Sequence, residues 1–330
     1  MQEWWREVLG AAIVLGLRLA TLPRTPWESD EILFMEAVRD FDPARYHPHP
    51  PGYPLFVFLG KVVNAVLGDP FASLVCVSVV SCVIGFVALT VAFRRIVGDR
   101  DVAVAGALIF YCSAGMLVHG SLAMADAAAI AFLALLFAAE HPVAVGVFAS
   151  AAIGCRPQLA IAVLPALAVL LFFQKRRLVV IAAFTVMSLL WFVPLMIEAG
   201  GWSGLVAYEV RQAAYVAQHD AVRSRGAMSL AQVAVRFVAH PWGSKWVTVP
   251  LFACAVLGLR RLRWSVRLVA MVVFTVVHLS FAILTMDPAD GVRYALPGQM
   301  LIALLAGRVW SAAALAAAFV KPPARAGADR

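Results

Sequence analysis

Two adjacent carboxylates, Asp30 and Glu31 in WESDEILF, are followed by two histidines, His47 and His49, in YHPHPPGYPLF, where Tyr53 also stands. Further along, Asp126 sits in SLAMADAAAIAF, Arg156 in GCRPQLA, and Arg293 with Tyr294 in DPADGVRYALP. Carboxylates and imidazoles of this kind can take or give protons, and guanidinium groups can hold an anion. Charged side chains at membrane depth are costly and mark functional sites by default. The pattern therefore points to a reaction that moves a proton beside a bound anion.

Each residue also has a purely structural reading. Asp30 and Glu31 can be helix-start acids that complement the helix dipole, with Ser29 as cap. His47 and His49 can be solvated loop residues. An HxH pair near acids can bind zinc, but HPH in an extended chain does not put both rings on one face. Asp126 and Arg156 can neutralise each other, and Arg293 can snorkel to the interface. His278, inside an apolar run, reads as a hydrogen-bonded packing residue, while Arg308 either snorkels or pairs within the bundle. The group carries more weight than its members, because it draws acids and bases from distant parts of the chain.

The elements that must position these residues are membrane helices. Of 330 residues, 63% are hydrophobic and only 14% charged, well below the roughly 25% charged residues of soluble domains. The apolar runs are rich in leucine, alanine and valine and show no period-2 alternation, which favours helices over a barrel. We predict about ten spans, near 8–22, 71–93, 102–119, 122–139, 142–154, 157–173, 178–198, 246–259, 268–285 and 293–319. The segment 53–68 is short and carries Lys61 at its middle. Keeping it out of the count puts RRIVGDR, QKRR, RRLRWSVR and the tail KPPARAGADR on one side with the N-terminus, as the positive-inside rule requires. The segment is then an outer-face juxtamembrane or re-entrant helix.

Two outer loops remain, 23–70 and 199–245. Residues 23–52 hold six acids against three arginines, whereas 199–245 holds five basic residues against two acids. The second loop contains an amphipathic stretch, SLAQVAVRFVAH, at 229–240, and Phe34, Val38 and Phe41 give the first loop's helix an apolar face for the bilayer surface. The net charge of +8 lies mostly in inter-span clusters, so it is a topology signal and implies no nucleic-acid partner. The five cysteines form no CxxC pair and read as packing residues. The start, MQEWWRE, is barely basic and reads as an interfacial anchor, not a cleaved leader. No soluble domain is expected at either end.

The order of these motifs resembles the GT-C superfamily of integral-membrane glycosyltransferases, in particular the branch with protein O-mannosyltransferases and the lipid A aminoarabinose transferase. The resemblance rests on Asp30-Glu31 after the first span, on HPHPPGYPLF, on Asp126 and Arg156, on RYALP, and on WFVPLMIEAGGWSGL leading into the second outer loop. It implies an all-α, polytopic, GT-C-like bundle over 1–319 with a cytoplasmic basic tail at 320–330. It also implies a sugar donor on a polyprenyl phosphate, a protein, lipid or glycan acceptor on the outer face, and a cell (inner) membrane location.

On that resemblance Asp30 is the candidate base, with Glu31 second. Arg156 and Arg293, helped by His47 or His49, hold the phosphate, and Tyr53 and Tyr294 line the substrate site. Asp126 orients the acceptor, binds a metal or positions Arg156. No cofactor is required by this chemistry, and a divalent metal stays an open alternative. A transporter or lipid flippase is the rival reading, and it would place broken helices and polar groups near the midplane.

Overall fold

The computed structural model describes residues 4–219, 228–260 and 262–319, the side chains of His219 and of 310–319 excepted. Among these residues all regular structure is helical, apart from an isolated bridge between Asp42 and His47. Helix α1 (Trp5–Ala20) leads into a long connection holding α2 (Ser29–Arg39) and α3 (Pro54–Leu67). Then come α4 (Pro70–Val97), α5 (Arg100–Tyr111), α6 (Ala114–His119), α7 (Asp126–Ala138), α8 (Pro142–Cys155), α9 (Ala160–Phe173) and α10 (Arg177–Glu198). A second connection carries α11 (Gly201–His219) and α12 (Leu230–Val238). Helices α13 (Lys245–Leu259), α14 (Val266–Thr285), α15 (Gly291–Ala295) and α16 (Met300–Phe319) follow.

The core is built around α7, whose residues are almost all buried between α4 and α8. Small residues let the backbones close in, as expected where lipid removes the hydrophobic drive between helices. A Cβ on Gly307 of α16 would lie 2.7 Å from the Gly106 nitrogen of α5, and one on Gly146 of α8 would lie 2.3 Å from the Val180 carbonyl of α10. Between α8 and α10, Ser150 and Ser188 share a 2.9 Å hydrogen bond, and the Trp191 indole donates to Ser150 at 3.0 Å.

The sequence pattern predicts about ten crossings, but the described helices do not all meet the length for one. Three are long and apolar enough, α4, α10 and α14, and a fourth qualifies if α12 and α13, bent by 93° at their joint, count as one span. The reason is local. The predicted run 102–119 breaks at Cys112–Ser113 into α5 and α6, and 157–173 starts as a 3-10 turn before α9. The run 293–319 begins as the five-residue α15 and a second 3-10 turn. Helix α3 has 14 residues, about 21 Å at 1.5 Å per residue, against a hydrocarbon core of roughly 30 Å.

Arg18 in α1 is fully buried and ties the first of these breaks together. Its guanidinium donates to the carbonyls of Tyr111 and Met116, on either side of the Cys112–Ser113 joint. A cation at the carbonyl end of α5 complements the helix dipole there.

The face formed by Phe34 and Val38 does not lie on lipid, as its apolar pattern suggests. Phe34 is fully buried and meets the rings of Tyr53 and Phe56, each 5.1 Å away, so α2 packs onto α3. Helix α12 is amphipathic as read: Ser229 caps it, and Val233 and Phe237 are buried. All five cysteines are free thiols. The tail 320–330 lies outside the described residues.

Candidate active site

The site is assembled from helix ends and breaks at one end of the bundle. Asp126 opens α7. Arg156 is the C-terminal cap of α8, in an extended conformation (φ −147°, ψ 87°) before Pro157. A residue that precedes proline is pushed out of the helical region, so the GCRPQ sequence itself turns the chain there. Arg293 lies on the short helix α15, and Asp30 on the first turn of α2.

Four charges form one continuous chain. Arg156 Nη1 contacts Asp126 Oδ1. Arg293 Nε donates to Asp126 Oδ2 at 3.3 Å, and its Nη2 donates to Asp30 Oδ2 at 3.0 Å. Asp126, Arg156 and Arg293 are buried, with side chains at most 5% exposed, whereas Asp30 is 26% exposed. Burial at this depth without a partner would cost several kcal/mol per charge, and the pairing offsets that cost for both guanidinium groups. Tyr294 lies against both arginines, its ring centre 5.2 Å from the Arg156 guanidinium carbon and 5.3 Å from that of Arg293. Both distances fall within cation–π range.

The proline-rich segment supplies the opposite wall. His49 Nδ1 faces Asp30 Oδ1 at 3.8 Å, and its Nε2 is 3.3 Å from the Tyr53 hydroxyl. The Gln158 amide donates to that hydroxyl at 3.4 Å. Burial pushes the His49 imidazole below its usual pKa; Asp30 pulls it up, and Arg293 and Arg156 push it further down. The segment is held from outside by α11, where the buried Tyr208 hydroxyl donates to the Pro48 carbonyl at 2.8 Å and Arg211 lies over the Tyr46 ring. The two loops that the sequence separates by more than a hundred residues are thus one wall.

The neighbouring acids have different surroundings. Glu31 is fully buried and accepts three backbone N–H groups, from Trp27 at 2.6 Å, Glu28 at 3.0 Å and Ala123 at 2.7 Å. It therefore closes the start of α2 and ties it to the chain just before α7. Glu28, not Ser29, occupies the N-cap position. Glu28 and Asp290 stand at the rim. Burial, then Asp290, raises the Glu28 carboxyl above its usual pKa, against the pull of Arg293; burial also raises Asp290.

Of the residues singled out in the sequence, Asp30, His49, Tyr53, Asp126, Arg156, Arg293 and Tyr294 come together. His47 does not join them: its backbone bridges to Asp42 at 2.9 and 2.8 Å, and its Nδ1 is buried without a hydrogen-bond partner. No group of three or more His, Cys, Asp or Glu side chains is arranged to hold a metal among the described residues. His278 Nε2 lies 2.8 Å from the Tyr294 carbonyl oxygen and the ring stacks on Phe274, so it packs the helix that carries the site. Since Nε2 faces a carbonyl oxygen, it is the donor. Gln158, Glu28 and Asp290 escaped the sequence reading, as polar residues without an unusual neighbour.

Solved structures share this architecture. ArnT from Cupriavidus metallidurans bound to undecaprenyl phosphate superposes with a TM-score of 0.65 at 15% identity, over 96% of this chain and 64% of that one. The Archaeoglobus fulgidus oligosaccharyltransferase in its apo form gives 0.58 at 14% identity, over 96% and 52%. The archaeal oligosaccharyltransferase AglB in complex with an inhibitory peptide and a dolichol-phosphate gives 0.56 at 13%, over 97% and 52%. The chain shares the fold of these ArnT and oligosaccharyltransferase structures. The chain spans just under two thirds of the length of ArnT and about half that of the oligosaccharyltransferases. No family model matches the sequence, and no curated protein does. In this fold the charged chain from Arg156 to Asp30 sits where two loops and three helix ends meet.

Proposed function

We propose that this chain transfers a sugar from a polyprenyl-phosphate donor to a protein, lipid or glycan acceptor at the outer face of the cell membrane. The observation that carries the reading is the pair of buried arginines, Arg156 and Arg293, joined through Asp126 and ending on the partly exposed Asp30. Such a site offers cations for a phosphate and a carboxylate for a proton within one hydrogen-bonded chain. The likeness to ArnT, whose structure holds undecaprenyl phosphate, supports the same class of donor here.

In this reading the acceptor oxygen or nitrogen attacks the anomeric carbon, and Asp30 takes its proton. The bond from the anomeric carbon to the phosphate oxygen breaks, and Arg156 and Arg293 hold the charge left on the phosphate. Asp126 keeps both guanidinium groups in place, Tyr294 stacks on them, and His49 with Tyr53 fixes the wall facing Asp30. Glu31 positions Asp30 by anchoring the first turn of α2. The catalytic unit is 1–319, the termini lie on the cytoplasmic side, and α3 lies on the outer surface. The lipid chain rests among the apolar helices.

The test is mass spectrometry of lipids that co-purify with the protein in mild detergent. A glycosylated polyprenyl phosphate is expected, and its loss in Arg293→Ala. Co-purification of phospholipids alone would overturn the reading.

A further inference from the structure

The four charges of the site cancel: two guanidinium groups face two carboxylates. Both guanidinium charges are therefore already paired with carboxylates, and a phosphate would bring a third negative group to two positive ones. Asp126 cannot leave, because it is 2% exposed and held by both arginines at once. Asp30 can leave. It is 26% exposed, it touches only one of the two guanidinium groups, and it stands on the first turn of α2. A charge that can re-enter water loses little on parting, whereas one stranded in the interior loses several kcal/mol.

We infer that donor binding exchanges partners at Arg293: the phosphate displaces Asp30 from the guanidinium, and only then is the carboxylate available to an acceptor. This rests on the proposed transfer reaction and deepens it, because it assigns Arg293 a second role, as the group that couples donor occupancy to the base. While Nη2 of Arg293 holds Asp30 Oδ2, that oxygen is occupied. Once the phosphate takes Nη2, His49 Nδ1, 3.8 Å from Oδ1, is the nearest remaining partner. The charges stay balanced through the reaction. The donor phosphodiester brings one negative charge, and the product phosphate monoester carries two. The difference is the proton that passes from the acceptor to Asp30. The order of events follows: donor first, acceptor second.

The inference predicts that removing the displaced anion tightens donor binding, the reverse of what loss of a binding residue does. Affinity for undecaprenyl phosphate is measured on the purified full chain in nanodiscs for wild type, Asp30→Asn, Asp30→Ser and Glu28→Gln. Both Asp30 variants are expected to bind about fivefold more tightly, the scale of one partly exposed ion pair. Glu28→Gln, which removes a nearby charge that feels Arg293 without forming a direct ion pair with it, is expected to change affinity by less than about twofold. Unchanged or weaker binding in both Asp30 variants would overturn the exchange, as would an equal gain in Glu28→Gln. Failure of the wild type itself to bind undecaprenyl phosphate would instead overturn the donor assignment.

Discussion

Arg293 holds Asp30 at 3.0 Å through Nη2 and Asp126 at 3.3 Å through Nε, so one guanidinium links a carboxylate at the rim to one in the core. The two residues are 263 positions apart in the chain. This contact fixes the start of α2 against α15, and in the proposed reaction it joins the base to the groups that hold the phosphate.

The first prediction concerns the arginines. Arg156→Ala and Arg293→Ala each remove a charge-assisted contact to the donor, worth roughly 1.5–3 kcal/mol. Undecaprenyl phosphate affinity should fall by about 10- to 150-fold. Lysine should restore it only in part, because an ammonium cannot present the planar fork. Wild-type affinity in both alanine variants, measured by titration in nanodiscs, would make these arginines structural.

The second separates the adjacent acids. Glu31→Gln trades a carboxylate that accepts three backbone N–H groups for an amide with one acceptor oxygen. It should lower stability by about 1–3 kcal/mol, visible as a depressed thermal midpoint. Asp30→Asn, which disturbs one partly exposed pair, should leave the midpoint near wild type. Equal midpoints for the two variants would contradict the division of roles.

Much of this site was legible in the sequence because charges are rare in an apolar chain. Asp126, Arg156 and Arg293 stood out on that ground alone, and RP in GCRPQ marked a turn. The fold class followed from composition and from the resemblance carried by HPHPPGYPLF. Glu31 was harder: its partner Ala123 is 92 positions away, so nothing local distinguishes a capping acid from a reactive one. His47 and His49 have the same neighbours in sequence, and only the bridge from His47 to Asp42 turns one away from Asp30. The span count suffered from another cause. Hydropathy reports that a run is apolar, not that its backbone is continuous, and the breaks at Cys112–Ser113 and at 295–299 change hydrogen bonding without changing hydropathy.

The third prediction follows from the rim acids. Burial raises the pKa values of both Glu28 and Asp290 in the folded protein, helped by Asp290 at Glu28 and by Asp287 and Asp30 at Asp290. The folded state therefore holds protons that the unfolded chain releases, and stability falls as pH rises from the ordinary carboxylate range through the raised values. Glu28→Gln and Asp290→Asn should accordingly raise the thermal midpoint at pH 7, and the gain should vanish below about pH 4, where both states are protonated. A gain that persists or grows at acid pH would contradict the cause assigned to these shifts.

The fourth concerns topology. Single cysteines in place of Thr25 and Ala289, in a chain without its five native cysteines, should react with an impermeant thiol reagent added outside the cell. Both positions are exposed, near the site end of the bundle. Cysteines in place of Arg94 and Arg176, exposed at the other end, should react only after the membrane is opened. External labelling at Arg94 and Arg176 would reverse the orientation and put the site on the cytoplasmic face.

The central claim is that Asp30 takes the acceptor proton during sugar transfer. The direct measurement is single-turnover release of polyprenyl phosphate from the glycosylated lipid pool of native membranes, by wild type and Asp30→Asn at saturating donor. Asparagine keeps the size of the side chain and removes its basicity. Release should slow by ~10²–10⁴, the usual contribution of a positioned general base, while the donor stays bound. Release by Asp30→Asn at the wild-type rate would contradict the account.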